Sequence, residues 1–259
     1  MNGVGVQSRR LGTMRMSGVL LLLGACANSA TGPDGCDGST IDLGASSCLS
    51  LRESGLDASH QETLELEVRR TLEQVNQVMA IDDVLIRVIG DATRVIPEVG
   101  LGGFAAGANE VRMFVNPDLA DQETVLSREL LPLLAHELHH AKRMRTVGYG
   151  STLLEAAISE GLADHFSVEV AGIEPPPWSV AVSGTALQEW TATAVEASAA
   201  GPFDHSDWFF GTDPAIPRWT GYSIGFEFVR QFLEANTSAV ASRLHDEPAS
   251  SFLAGNDGQ

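Results

Sequence analysis

The chain has 259 residues, a formal net charge of −18, 44% hydrophobic residues and 3 cysteines. That acidity argues against nucleic acid or an anionic lipid surface as partner, because both are recognised through basic side chains. Beyond the N-terminal segments about 200 residues remain, enough to bury a core as one domain, and no internal repeat divides them.

Arg9, Arg10 and Arg15 precede a short apolar run over 19–24. The run is too short to span a bilayer, and with its basic flank it reads as a targeting segment. It ends in Leu23-Gly24-Ala25-Cys26, which resembles a bacterial lipobox. The resemblance implies that 1–25 is a lipoprotein signal peptide, cleaved before Cys26, with lipid on the Cys26 thiol. The protein is then expected to be exported to a bacterial cell envelope and lipid-anchored to a membrane. Loss of the three arginines in 1–25 takes the net charge to −21. This does not oppose the anchor, which works through acyl chains.

Residues 28–47 are rich in Gly, Ser, Asp and Thr and show neither helical nor strand periodicity. Segment 26–58 is therefore read as a flexible tether. Cys36 and Cys48 remain within it, and two cysteines close in sequence in an oxidising compartment are expected to pair.

The folded domain is expected over 59–259. Leu64, Val68, Leu72, Val75 and Met79 recur at helical spacing in 61–80. Residues 84–89 are a β-branched strand. A glycine-rich stretch covers 100–109, and 110–116 reads as the next strand. A helix follows over 127–145, started or kinked at Pro132. Leu131, Leu134, Leu138 and Ala141 form its core stripe. A second helix covers 151–171 with Ser151 as N-cap. Pro175-Pro176-Pro177 makes a stiff break. Further helices are expected over 183–199 and 220–234, then short turns to the end.

The chemistry sits at His136-Glu137-Leu138-His139-His140. Histidines at i and i+4 share one helix face, as two nitrogens on one tetrahedral Zn²⁺ require. Glu137 points aside, placed to act on a metal-activated water rather than on the metal. His136 lies nine residues before the expected helix end, and Glu160 lies nine after Ser151. An antiparallel helix pair therefore brings Glu160 level with the histidines as a third ligand. Asp164, one turn beyond Glu160, then falls beside His136, where its carboxylate would fix the tautomer. His139 and His165 lie on neither face and are expected to be exposed.

This pattern, with Glu160 twenty residues after His140, resembles the gluzincin metallopeptidases. The strings HELHHAKR, ISEGLADHF and GYSIGFEFVRQFL are closer still to the YjaZ-like zinc-dependent proteases, a domain family of unknown function. The resemblance covers about 64–252. It implies a zincin-like α+β fold: a small N-terminal sheet with helices, an active-site helix pair and a mainly helical C-terminal part. It also implies one Zn²⁺ per domain, a peptide or protein substrate, and an edge strand that pairs with that substrate. Val111-Arg112-Met113-Phe114-Val115, directly before the motif helix, is the candidate. Ser159 stands where thermolysin has an asparagine, so the hydrogen bonds around that enzyme's ligands are not expected to be copied.

The leading functional reading is a lipid-anchored zinc peptidase with Glu137 as general base. A developing oxyanion would need a further donor, for which Tyr222 ranks ahead of Tyr149 and His205. The alternative is a non-catalytic, zinc-stabilised binding or assembly lipoprotein. Glu137 and the absence of a fourth nearby Cys or His favour the enzyme, since structural zinc sites close with four protein ligands. A zinc hydrolase acting on something other than peptide would use the same three ligands.

Overall fold

The computed structural model describes residues 35–253. Cys26 and the signal segment 1–25 lie outside the described residues. Five strands form one mixed sheet: β1 (Ile41–Gly44), β2 (Ser47–Glu53), β3 (Leu85–Gly90), β4 (Leu101–Gly107) and β5 (Glu110–Val115), in the order β1-β2-β3-β5-β4. β2, β3 and β5 run parallel, and β1 and β4 pair antiparallel at the two edges. The parallel β2–β3 pair needs a crossover. It is supplied by α1 (Ala58–Val78), capped where Asp57 accepts the His60 amide. Leu64, Val68 and Val75 on its apolar stripe are fully buried.

Two expectations are corrected here. Segment 26–58 is not all tether: β1 and β2 fall within it, and Leu49 is fully buried. The Ile41/Leu43 and Leu49/Leu51 alternation carries the strand signal, but its polar and glycine-rich setting masks it. Cys36 and Cys48 are joined as a disulfide that ties the segment before β1 to β2. The second correction concerns the edge. Val111–Val115 is internal, between β3 and β4, with Val111, Met113 and Val115 fully buried. The glycine-rich stretch is itself β4, and it is the edge strand on that side.

The motif helix α2 (Gln122–Met144) starts earlier than expected and carries Pro132 in its interior. From Pro132 to Ala141 every residue is buried. Leu130, rather than the half-buried Leu131, begins the core row. One face packs on the sheet and α1, and the other meets α3 (Leu153–Ala171). α3 begins at a capping box, Thr152 with Glu155, one residue later than expected. Most of its residues are buried, polar ones included, because it is packed on several sides. α4 (Gly184–Ala200), α5 (His205–Phe210), α6 (Thr220–Ala235) and the short α7 (Ser250–Leu253) form a second core around it.

α3 and α6 cross at glycines. A Cβ on Gly225 would lie 1.7 Å from the Ala157 carbonyl oxygen, and one on Gly161 would lie 2.2 Å from the Gly225 carbonyl carbon. Only glycine permits backbones this close. Neither obstacle is a flexible side chain, so Gly225→Ala is expected to lower stability by about 1–3 kcal/mol through overpacking. Chemical denaturation of the two chains checks this, and an unchanged midpoint would contradict the crossing.

Candidate metal centre

Antiparallel packing of α2 on α3 brings His136, His140, Glu160 and Asp164 together in the interior, each no more than 6% exposed. Three atoms converge. His136 Nε2 lies 3.0 Å from His140 Nε2 and 3.1 Å from Glu160 Oε2, and His140 Nε2 lies 3.3 Å from the same oxygen. Ligands on a tetrahedral cation bound at about 2.0–2.1 Å stand about 3.3 Å apart. The three donors are of the right type and near the right spacing for a zinc site.

Donor orientation fits as well. His136 Nδ1–H donates to Asp164 Oδ1 at 2.8 Å, which turns Nε2 toward His140 and Glu160. Burial opposes charge on His136, yet the Asp164 and Glu160 carboxylates together outweigh it and hold the imidazole pKa well above its usual value. Burial likewise opposes charge on Glu160, but the two histidines hold its carboxyl well below the ordinary range.

Glu137 lies outside this triangle, against β4. A Cβ on Gly103 would fall 2.5 Å from Glu137 Oε1, so a glycine at that point of the strand makes room for the carboxylate. Burial, the largest influence on Glu137, raises its carboxyl pKa. A carboxyl raised in this way is closer to the pKa wanted of a base at neutral pH.

The three candidate donors are differently placed. Tyr149 Oη donates to Glu160 Oε1 at 2.5 Å and stands 2.8 Å from His205 Nε2, so its one proton is committed. Burial lowers the His205 pKa, and its ring stacks on Phe209 with centroids 4.2 Å apart. Tyr222, in the first turn of α6, has no hydrogen-bond partner for its hydroxyl among the described residues. Its phenol pKa is held well above 10 by burial, then by Glu160, Asp164 and Glu137. Its ring packs on those of Phe209 and Trp178, at 5.1 and 6.4 Å between centroids.

Several groups escape sequence reasoning. Ser159, the departure from thermolysin, accepts from Arg143 Nε at 3.0 Å and donates to the Tyr149 carbonyl at 2.5 Å. Arg143 also donates to the Glu247 carbonyl at 2.7 Å, tying the end of α2 to the C-terminal segment. Burial pushes its pKa down to about 10. Trp178 and Ser179 both donate to Asp164. Only the proline run before them marked that loop, as a break in the chain.

His139 and His165 are not exposed. His165 is half-buried and stacked on Phe226 at 3.9 Å. His139 is fully buried, and neither ring nitrogen has a partner among the described residues. The helical wheel placed it off the metal face correctly, but α2 is buried on that side too. Burial, reinforced by His140, Arg143 and His136, depresses the His139 pKa well below 6.5.

An α+β domain that holds two histidines and a glutamate around one buried point fits a metallopeptidase. The chain belongs to the family described as "Predicted Zn-dependent protease (DUF2268)", whose model matches residues 64–254. No curated protein and no solved structure matches it significantly.

The buried His139 has a consequence for stability. Below about pH 6.5 the unfolded chain protonates this histidine and the folded chain does not. Stability present above that pH is therefore lost as pH falls toward the depressed folded value, at up to about 1.4 kcal/mol per pH unit. His139→Leu is expected to lose less stability than the parent chain between pH 7 and 5, both measured metal-free by denaturant titration. Parallel losses in the two chains would contradict it.

Proposed function

We propose that this protein is a zinc-dependent peptidase, carried to the cell envelope and held there by lipid on Cys26. The convergence of His136 Nε2, His140 Nε2 and Glu160 Oε2, with Glu137 beside them and not among them, carries the catalytic part of the reading. A purely structural zinc site has no use for a buried carboxylate next to its ligands. This favours the enzyme over a non-catalytic, zinc-stabilised lipoprotein.

One Zn²⁺ per domain, when bound, would polarise a scissile carbonyl and acidify a water. Glu137 takes the proton of the attacking water and returns it to the leaving amine. Glu160 is held by Tyr149, and His136 by Asp164. Tyr222 donates to the oxyanion, the role for which its free hydroxyl suits it. The substrate is an extended peptide that adds to the sheet at β4. It is seated by backbone pairing, with its scissile bond brought to Glu137 where Gly103 leaves room. The strongly acidic surface is consistent with a partner that is not nucleic acid.

One variant set tests the catalytic reading. The parent chain should bind one zinc and cleave a peptide library, and a chelator should abolish cleavage. His136→Ala, His140→Ala and Glu160→Ala should each lose zinc. Glu137→Gln should keep zinc while turnover falls about 10²–10⁴-fold. Tyr222→Phe should keep zinc and lose about 10²–10³-fold. Zinc loss in Glu137→Gln equal to that in His140→Ala would refute the assigned roles. Full turnover in Tyr222→Phe would remove Tyr222 from the donor role.

The anchor is tested separately. The Leu23-Gly24-Ala25-Cys26 sequence motivates it. Cys26→Ser should release the protein from the membrane fraction or block its processing. Unchanged processing and membrane association would remove the anchor and leave the peptidase reading untouched.

A further inference from the structure

Asp164 has no exposed surface, and every bond it makes is one that it accepts. His136 Nδ1–H reaches Oδ1 at 2.8 Å, Trp178 Nε1–H reaches the same oxygen at 3.0 Å, and Ser179 Oγ–H reaches Oδ2 at 2.6 Å. Three donors satisfy the hydrogen-bonding capacity of both oxygens of a buried carboxylate. They also fix its plane. Two of the three come from consecutive residues of one loop.

That loop is itself held. Pro175-Pro176-Pro177 restricts the backbone entering it. The Ser179 amide donates to the Pro176 carbonyl at 3.0 Å. On the far side, Ser223 Oγ donates to the Trp178 carbonyl at 3.1 Å and accepts the Val182 amide at 3.1 Å. Ser223 follows Tyr222 on α6. The Trp178 ring lies 6.4 Å from that of Tyr222, centroid to centroid. A continuous set of contacts thus runs from α6 through the loop to Asp164 and on to His136.

We propose that Trp178 and Ser179 are positioning residues for the metal centre: they lock the Asp164 carboxylate in the pose that orients the His136 ring. The inference rests on the zinc reading above. A ligating imidazole whose second nitrogen is held keeps its tautomer and direction, and partners of this kind matter to metal affinity. Asp164 can perform that task only while its own carboxylate cannot rotate. Ser179 prevents this from one oxygen and Trp178 from the other.

Zinc affinity of the full chain, read by competition with a chromogenic chelator, tests the clamp independently of peptidase activity. Ser179→Ala and Trp178→Phe should each weaken zinc binding about tenfold, the lower end of what such partners contribute. Ser179→Thr, which keeps the hydroxyl, should restore affinity. In an Asp164→Ala background neither substitution should weaken zinc further, because both act through the carboxylate that is gone. A merely structural contribution would survive in that background. Unchanged affinity in the single variants, or an equal loss with and without Asp164, would overturn the clamp while leaving the peptidase reading standing. A parent chain that binds no zinc would overturn both. If Trp178→Phe does not fold, Ser179→Ala and its Thr counterpart decide the matter.

Discussion

Desolvation of charge is the constraint on which this structure turns. His136, His140, Glu160 and Asp164 are all removed from water between α2 and α3. An isolated charge in such a place is prohibitively costly, so the two carboxylates must find partners inside the protein. Asp164 is satisfied by three donors, and the Glu160 carboxylate by Tyr149 and the histidines. The helix pair is therefore held by the groups that would hold a metal. A shift of either helix would leave a buried carboxylate without partners.

The rest of the fold serves that pair. The sheet and α1 cover one side of α2, while α4 to α7 surround α3. β4 brings its edge to the motif glutamate, and a glycine there lets it come close. Tyr222 of α6 packs against both cores.

Much of the centre was legible because helix geometry is periodic. The i, i+4 histidines, the equal distances of His136 and Glu160 from the turn, and the one-turn step to Asp164 follow from 3.6 residues per turn and antiparallel packing. The long apolar repeat of α1 was equally plain. What failed was whatever depends on neighbours far off in sequence. The edge was assigned to β5 because it directly precedes α2, yet strand order follows from pairing across the sheet, and β4 folds back outside it. Segment 26–58 looked disordered because its few apolar residues lie among glycine, serine and aspartate. A single helical wheel made His139 look exposed, although α2 is covered on more than one side. Trp178 and Ser179 left no local signal, because their task is defined only where the loop after α3 returns over Asp164.

The contact of Gly161 with Gly225 places two backbones directly against each other, without a side chain as spacer. Glu160 adjoins one of these glycines, and Tyr222 lies three residues before the other. Side chains change rotamer, and a spacing set through them breathes with each change. Two backbones in contact leave no such freedom. The crossing acts as a fixed fulcrum: if α6 tilts about it, the lever arm to Tyr222 is a single helical turn. Motions at the far end of the helix would then reach the tyrosine only in reduced amplitude.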